Sequence, residues 1–360
     1  MDIAVLGGGN GAYAAAADLS EQGHRVRLWR RNSGALGALA NGSPLTIIDH
    51  DGTRSVALAG TSGDIQEAIR GAELIVFPGP AFAQIDVATA LAPALTDGQV
   101  IFLPPGTFGS FVMMRAIRAA GSNADIAIAE TGTLPYLARK HGPTTIAITR
   151  RATRLPTGVF PSRLNAMARL VIAAAYPAIE SCSDALAGAL MNAGPIIHPP
   201  LIIMNAGPIE HFEHWDIHNE GTQPSVRRVT TALDAERIAV RLALGYGAPH
   251  FPLADHYRDD GDEWMYGRAA HVRLTDSGDW REDLDLQTHR YMREDVALGL
   301  SLLVSIAQWV NVRCPVALGL LELGSAICGE DFRNGPRSFE ALGLTQFTPQ
   351  ALQRVLKQGL

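Results

Sequence analysis

A short glycine-rich segment at the start of the chain has the spacing of a phosphate-binding loop, Gly7-x-Gly9-x-x-Ala12. Gly7 permits a tight turn, Gly9 lets the backbone approach a pyrophosphate, and the small Ala12 allows the following helix to pack closely. Asn10 and Gly11 complete the loop, and the N-terminus of that helix would face the phosphates. A glycine pattern alone is weak evidence, and its alternative is a merely tight turn. Here it follows an apolar strand and opens an apolar helix, so all five residues are predicted to bind a dinucleotide.

The second predicted strand ends in two arginines, Arg30 and Arg31, where an acidic residue would bind the ribose hydroxyls of NAD. Arginine can hold a 2′-phosphate there and stack on adenine, so the sequence favours NADP and leaves NAD open. The alternative is that both arginines form a solvated strand end, which would leave the preference undecided. After the strand predicted at 74–77, Pro78 turns the chain at the carboxyl edge of the sheet, and we expect the cofactor to pass beneath it.

Strands and helices alternate in the first half of the chain, which predicts an α/β protein with a Rossmann domain at 1–180, a doubly wound parallel sheet. Helical patterns dominate 181–360 and predict a mainly α-helical second domain that begins with an N-cap at Ser183-Asp184. An apolar stretch at 296–310 predicts one buried core helix, and 255–285 a polar loop. The predicted strands are 3–6, 25–29, 74–77, 100–103, 126–129 and 145–149; the helices are 12–22, 65–69, 85–95 and 111–120, with others beginning near 232, 294 and 315.

The composition is that of a globular protein: 360 residues, 47% of them hydrophobic and 18% charged, enough for two domains. A net charge of −6 gives no basic surface, so nucleic acid and anionic membranes are poor partners and a small-molecule substrate is favoured. Three widely spaced cysteines without a Cys-x-x-Cys motif argue against disulfides and predict a cytoplasmic location. We expect no signal peptide before the first strand. A homodimer is possible.

Several segments, taken together and in this order, resemble the octopine and opine dehydrogenases across most of the chain. Each is weak alone, but their combined placement is more specific than the glycine pattern that many dehydrogenases share. The family has a Rossmann domain and a helical C-terminal domain like that of 6-phosphogluconate dehydrogenase. The segments are Val5-Leu6-Gly7-x-Gly9-Asn10-Gly11-x-x-Ala14, Glu130-Thr131-x-Thr133-Leu134-Pro135-Tyr136, the surroundings of Asn192 and His198-Pro199, Asn205-Ala206-Gly207-x-Ile209-Glu210, and Arg290-Tyr291-x-x-Glu294-Asp295-Val296.

This resemblance implies a reductive condensation, in which a 2-oxo acid and an amino acid form an imine that NAD(P)H reduces to a secondary amine, or the reverse oxidation. It places a proton-transferring pair at His198 and Asp295, whose contact is a prediction about folding. Histidine suits this role because its unperturbed pKa lies near neutral pH. Asp295 is expected at a helix N-terminus, where the helix dipole favours an ionised carboxylate. Arg290 is the candidate for the substrate carboxylate, with an ion pair to Glu294 as its alternative.

Two other functions stay open: a 2-hydroxy-acid or ketopantoate-type reductase on the same fold, and a non-catalytic NADP-binding regulator. A structural role for His198, satisfying a buried backbone group, is the alternative to its catalytic role. His211, His214 and His218 have a spacing that suggests a metal site, but no H-E-x-x-H motif or thiolate accompanies them. We therefore expect no metal, and we expect the active-site cleft between the two domains.

Overall fold

The computed structural model describes residues 1–258, 260–268, 270–276, 278 and 280–360. The described chain divides into two compact units, Met1–Ala189 with Val355–Leu360, and Leu190–Arg354. The division lies at Ala189 rather than at the expected residue 180, and the last six residues belong to the first unit. The border of the functional domains at 180 stays a prediction.

An eight-stranded sheet forms the centre of the first unit, with strands in the order β12-β11-β8-β7-β6-β1-β2-β5. All neighbouring strands are parallel except β8 and β11, which are antiparallel. These strands are β1 (Asp2–Leu6), β2 (Arg25–Trp29), β5 (Gly60–Ser62), β6 (Leu74–Val76), β7 (Val100–Leu103), β8 (Ala127–Thr131), β11 (Leu155–Phe160) and β12 (Ile179–Ser181).

The strand order confirms the doubly wound class. After β1 the chain passes to β2 on one side, and the next parallel strand on the other side is β6, so the order reverses between β1 and β6. Ligands of such sheets bind outside the carboxyl ends of the strands at this switch point. The helices of this unit are α1 (Asn10–Glu21), α2 (Ile65–Ile69), α3 (Gln84–Leu91), α4 (Gly109–Ala119), α5 (Asn165–Ala175) and α6 (Ala185–Ala189), with 3-10 turns at Ser33–Asn41, Ala81–Ala83, Ala92–Ala94 and Ser162–Leu164.

A second sheet of four strands corrects one sequence-based expectation. The strand predicted at 145–149 does not extend the parallel sheet; it is part of β10 (Thr145–Arg151) in a sheet ordered β4-β3-β10-β9. The other strands are β3 (Leu45–Asp49), β4 (Gly52–Val56) and β9 (Tyr136–Lys140). β10 pairs antiparallel with β9 and parallel with β3. Alternation along the sequence could not show this, because partner choice depends on segments about 100 residues apart.

A network of charged side chains joins this second sheet to α1. The buried carboxylate of Asp49 accepts hydrogen bonds from Arg54 at 2.6 Å and from Arg151 at 2.8 Å. Arg151 also donates to Asp18 on α1 at 2.6 Å, and Asp18 accepts a further bond from the Tyr136 hydroxyl at 2.9 Å. The two guanidinium groups hold the pKa of Asp49 well below its usual range.

We predict that Asp49→Asn destabilises the protein by about 2 kcal/mol at pH 7, because both arginines lose a charged partner that is buried. Since folding lowers the pKa of Asp49, its contribution is fully present above the unfolded value of about 4 and is lost progressively as the pH falls from there towards the low folded value. Urea denaturation at pH 7 and at about pH 2.5 measures both effects. The matched control is Asp51→Asn, an exposed carboxylate two residues away. Equal midpoints for the Asp49 variant and the wild type at pH 7 would contradict the prediction.

The second unit is mainly helical, as expected. Helix α9 begins at Pro224, before the predicted start near 232, and α12 begins at Pro315 as predicted. The predicted single helix at 296–310 is wrong: a π-helix, Tyr291–Leu300, continues into the α-helix Ser301–Trp309. Apolar spacing alone does not distinguish the two helix types over ten residues. The helices are α7 (Gly194–Met204), α8 (Ala206–His211), α9 (Pro224–Ala243), α10 (Ala270–Asp276), α11 (Ser301–Trp309), α12 (Pro315–Cys328) and α13 (Pro349–Gln358), with a 3-10 turn at Leu253–Tyr257.

The N-cap predicted at Ser183-Asp184 is present, since the Asp184 carboxylate accepts from the backbone N–H of Ala187 at 2.9 Å. The helix that it caps is α6, which belongs to the first unit. The predicted polar loop at 255–285 contains α10, and its residues 259, 269, 277 and 279 lie outside the described residues. One helical stretch, Ala185–Met204, is long and apolar enough to cross a membrane, but 83% of it is buried within the protein. Core helices commonly have this character.

Candidate active site

The loop between β1 and α1 has the backbone that a dinucleotide phosphate requires. Gly7 has a φ of +129°, in the region that favours glycine. A Cβ at Gly9 would meet no atom within 4 Å, so the backbone is open to a ligand there. Within the described residues no side chain caps α1, whose first N–H groups are therefore available to an anion. Ala12 is buried, and its methyl group would lie 3.4 Å from a Cβ at Gly7.

Pro78 lies beside this loop, as expected from its place after β6. A Cβ added to Gly11 would come within 3.2 Å of Pro78 and 3.0 Å of Leu134. Glycine at this position therefore lets α1 begin in close contact with two neighbouring segments. These residues fit the phosphates of a dinucleotide.

Arg30 and Arg31 have different surroundings. Arg30 donates to the Tyr13 hydroxyl at 3.0 Å and to the Ala35 carbonyl oxygen at 2.5 Å, and its guanidinium covers the backbone of Gly8. Arg31 is exposed, and its nearest carboxylate, on Asp86, is 3.9 Å away. Arg30 is thus a half-buried part of the loop and not a solvated strand end, whereas the Arg31 guanidinium can reach a ligand.

Lys140 at the end of β9 is a further cation at this loop, and nothing in its sequence context pointed to it. Its Nζ lies 3.3 Å from the Gly8 carbonyl oxygen and 3.6 Å from the centre of the Tyr13 ring. Its backbone N–H donates to the Asn10 side chain at 3.0 Å. Burial and the nearby Arg30 lower the pKa of Lys140. No carboxylate pairs with either cation within the described part of the chain, so the loop has an unbalanced positive charge.

The structure brings His198 and Asp295 together, as predicted. His198 on α7 and Asp295 on the π-helix meet with Nδ1 and Oδ2 2.6 Å apart, and their side chains are only 14% and 12% exposed. Two glycines allow this approach: a Cβ at Gly194 would collide with the Asp295 carboxylate, and one at Gly299 would collide with Pro195. The contact therefore depends on small residues on both helices.

The environment of Asp295 differs from the expected one. Asp295 lies inside the π-helix rather than at a helix N-terminus, so the helix dipole does not account for its ionisation. Burial raises the pKa of Asp295 to about 7, while the nearby Arg290 lowers it. Burial, together with Arg290, holds the pKa of His198 well below its usual value. The pair therefore exchanges a proton near neutral pH, and an ionised Asp295 keeps the hydrogen of the neutral imidazole on Nδ1, leaving Nε2 as a base.

Arg290 immediately precedes the π-helix, and its guanidinium carbon lies 5.4 Å from the centre of the Tyr291 ring. Asp295 and Glu294 act on it electrostatically, but the described residues give it no hydrogen bond or salt bridge. The alternative role, an ion pair with Glu294, is thus not formed as a direct contact. The donors of Arg290 are available to a carboxylate.

Helix α7 has an unusual sequence directly after His198. Pro199 and Pro200 lie inside the helix and remove two consecutive backbone N–H donors. The neighbouring π-helix is also irregular, and such helices are frequent at functional sites. Irregular backbone on both sides of the His198–Asp295 contact indicates that this geometry is maintained at some cost in stability.

The histidines that suggested a metal site have different surroundings. His218 is buried and bonded through Nε2 to the Tyr291 hydroxyl at 2.9 Å, with the edge of its ring against Trp280. His211 packs against Phe212. Of the three, His218 alone joins the side chains around His198.

Comparisons with known proteins show what this chain is similar to. Residues 181–328 match the family model of the NAD/NADP octopine/nopaline dehydrogenase alpha-helical domain. An opine dehydrogenase of Arthrobacter sp. (strain 1C) is 27% identical, and the alignment covers 98% of both chains. The chain is therefore similar to the octopine and opine dehydrogenases over nearly its whole length.

Solved structures of this family have the same fold. An octopine dehydrogenase in complex with NADH and agmatine superposes with a TM-score of 0.72 over 100% of this chain and 98% of its own, at 19% identity. A yersinopine dehydrogenase with NADP+ bound gives a TM-score of 0.65 over 99% and 98%, at 16% identity. At these identities the likeness shows the fold alone. The roles of individual residues in this chain stay predictions.

We predict that opine oxidation depends on the protonation of the pair. In the role predicted for it, the pair accepts a proton in that direction, so we expect kcat to fall about tenfold per pH unit below about 7, where the pair already holds a proton. In Asp295→Asn this inflection leaves the neutral range, because the amide does not titrate and the pKa of His198 is low. Measuring kcat from pH 5.5 to 9 at saturating substrate tests this. A flat wild-type profile, or an unchanged inflection in the variant, would contradict it.

Proposed function

We propose that the protein catalyses the NAD(P)H-dependent reductive condensation of an amino acid with a 2-oxo acid, and the reverse oxidation of the resulting opine. The single observation that carries the proposal is the buried His198–Asp295 contact, next to Arg290, in a helical unit that matches the octopine dehydrogenase model. In this proposal the contact serves as an acid–base pair, and Arg290 is the cation that binds a carboxylate. Both are needed when a nitrogen changes its protonation in a substrate with a carboxylate group.

His198 handles the proton at nitrogen. With its Nδ1 hydrogen donated to Asp295, its Nε2 can take a proton from a secondary amine in the oxidative direction and return it in the reductive direction. Asp295 stabilises the imidazolium that forms. Arg290 binds the carboxylate of the oxo acid through paired hydrogen bonds and so fixes the orientation of the reacting carbon.

The cofactor supplies a hydride to the carbon–nitrogen double bond when it is bound. This chain's Gly7, Gly9, Asn10, Gly11 and Ala12 would hold its pyrophosphate at the start of α1. The backbone of that loop is open there, and Pro78 lies against it.

The reaction can be tested by following NADPH oxidation against a matrix of amino acids and 2-oxo acids, with the product identified by mass. We predict that turnover needs both substrates and gives a secondary-amine dicarboxylate. His198→Ala should lower kcat at least about a hundredfold and leave NADPH binding near normal, since the residue acts on the proton alone. NADPH consumption with an oxo acid and no amine would instead assign a hydroxy-acid or ketopantoate-type reductase. Unchanged turnover of the variant would remove His198 from the mechanism.

We propose NADP as the preferred nucleotide. The support is the positive charge at the loop, where Arg31 is exposed and Lys140 lies beside Arg30 without a carboxylate partner in the described chain. Arg31 and Lys140 would bind the 2′-phosphate, while Arg30 holds the loop backbone against Tyr13.

We predict that Lys140→Ala and Arg31→Ala each weaken NADPH binding about tenfold, because each removes a charged hydrogen bond to a phosphate. NADH binding should change less than about twofold. Titration of nicotinamide fluorescence gives both dissociation constants without turnover. Arg25→Ala is the matched control, because Arg25 is an exposed arginine at the start of β2, the strand that leads to Arg31. Equal loss for NADH and NADPH would assign these cations to the pyrophosphate, and no loss would refute the NADP proposal.

We also propose a cytoplasmic location, supported by Cys182, Cys314 and Cys328, none of which forms a disulfide within the described residues. The homodimer stays a prediction, which sedimentation of the purified protein would test.

A further inference from the structure

Tyr291 has more contacts around His198 than its position in the sequence suggests. Its ring is stacked on the His198 imidazole, with ring centres 3.6 Å apart and planes 10° from parallel. Its hydroxyl is 2.9 Å from Nε2 of His218, and the Arg290 guanidinium lies 5.4 Å from its centre. One buried aromatic ring thus contacts His198 and Arg290, two of the three residues to which the proposed function gives a chemical role.

The hydrogen bond to Asp295 fixes only one atom of the imidazole. A ring held at Nδ1 alone can still tilt about its bond to Cβ, and the direction of the Nε2 lone pair would then vary. A second contact across the face of the ring removes this freedom. Tyr291 supplies that contact, because its ring is almost parallel to the imidazole at van der Waals distance.

Tyr291 is itself held from a different segment of the chain. His218 is buried, and its backbone N–H donates to the Asp216 carboxylate at 3.0 Å. The edge of its ring packs against Trp280. His218 therefore has a fixed position from which Nε2 can orient the Tyr291 hydroxyl.

We propose that Tyr291 and His218 are positioning residues for His198: Tyr291 fixes the plane of the imidazole, and His218 fixes Tyr291. This inference rests on the proposed function of His198. It adds two residues that do not contact substrate but determine where the Nε2 lone pair of His198 points. His218, which the sequence suggested as a metal ligand, acquires a different role.

Other ionisable side chains surround the same group. Asp295 and Arg290 act on His198 directly. The His289 ring lies edge-on to Tyr291 at 4.4 Å, and its Nε2 is 4.0 Å from the Glu282 carboxylate. A change in the pH dependence of kcat could therefore come from several groups. Only measurements that separate the position of the imidazole from its charge can test the proposal.

Replacing the aromatic ring is the first test. Tyr291→Leu should lower kcat about tenfold to a hundredfold, because a small displacement of a reacting group has effects of this size, while the dissociation constant for NADPH stays the same. Tyr291→Phe keeps the ring and should lose less activity than Tyr291→Leu, because only the hydrogen bond of the hydroxyl is removed. The matched control is Tyr257→Leu. The Tyr257 ring likewise contacts two imidazoles, those of His256 and His271, and the guanidinium of Arg227. Wild-type kcat in Tyr291→Leu, or an equal loss in Tyr257→Leu, would overturn the proposal.

A double-mutant cycle tests the bond between the two positioning residues. Tyr291→Phe and His218→Leu each remove one partner of the same hydrogen bond, so each should lower kcat about threefold to tenfold. The double variant should then be no slower than the slower single variant. Additive losses would show that His218 does not act through Tyr291. This cycle keeps the proposal testable if the leucine variant of Tyr291 fails to fold.

A spectroscopic measurement separates this inference from the proposed function. The hydrogen between His198 and Asp295 should give a far-downfield proton NMR signal in the wild type, which Asp295→Asn removes and so assigns. We expect the signal to persist in Tyr291→Phe and Tyr257→Leu and to broaden in Tyr291→Leu, where the imidazole is free to tilt. A sharp signal in Tyr291→Leu would refute the positioning role. Because no turnover is needed, this result stands even if no opine is formed.

Discussion

The contact between a carboxylate and an imidazole, both removed from water, is the interaction on which the rest of the site depends. Burial disfavours the charged form of each partner, so the pair is stable only where each satisfies the other and a further cation offsets the carboxylate. Arg290 supplies that cation, and glycines at 194 and 299 allow the two helices to approach closely enough. The prolines after His198 and the π-helical winding around Asp295 are departures from regular structure at the same place.

In the first unit it is an excess of positive charge, at the glycine loop, that lacks a partner within the described residues. Positive side chains gather at a loop whose backbone also presents N–H groups, and burial together with the nearby Arg30 lowers the pKa of Lys140. Such an arrangement favours an anion. The second sheet serves this site through Lys140 at the end of β9, and the network around Asp49 attaches that sheet to α1.

Much of the fold could be predicted from the sequence because its signals are local. The glycine loop, the strands at 25–29 and 100–103, and the helix at 65–69 have bounds that agree with the structure. The second sheet could not be predicted, since its strands pair across long stretches of chain. The π-helix was missed because apolar residues recur in it much as in an α-helix. For the site, family resemblance indicated His198 and Asp295. The roles proposed for Tyr291, His218 and Lys140 rest on contacts between distant segments, which the local sequence does not show.

The proton pair and Tyr291 all belong to the unit Leu190–Arg354, while the glycine loop and its cations belong to the other. Under the proposed function, nucleotide choice and acid–base chemistry are therefore encoded in separate stretches of the gene. Mutations that retune one can accumulate without disturbing the other, so a lineage can exchange its source of reducing power while keeping its substrates. The same separation makes this fold suitable for engineering by recombination.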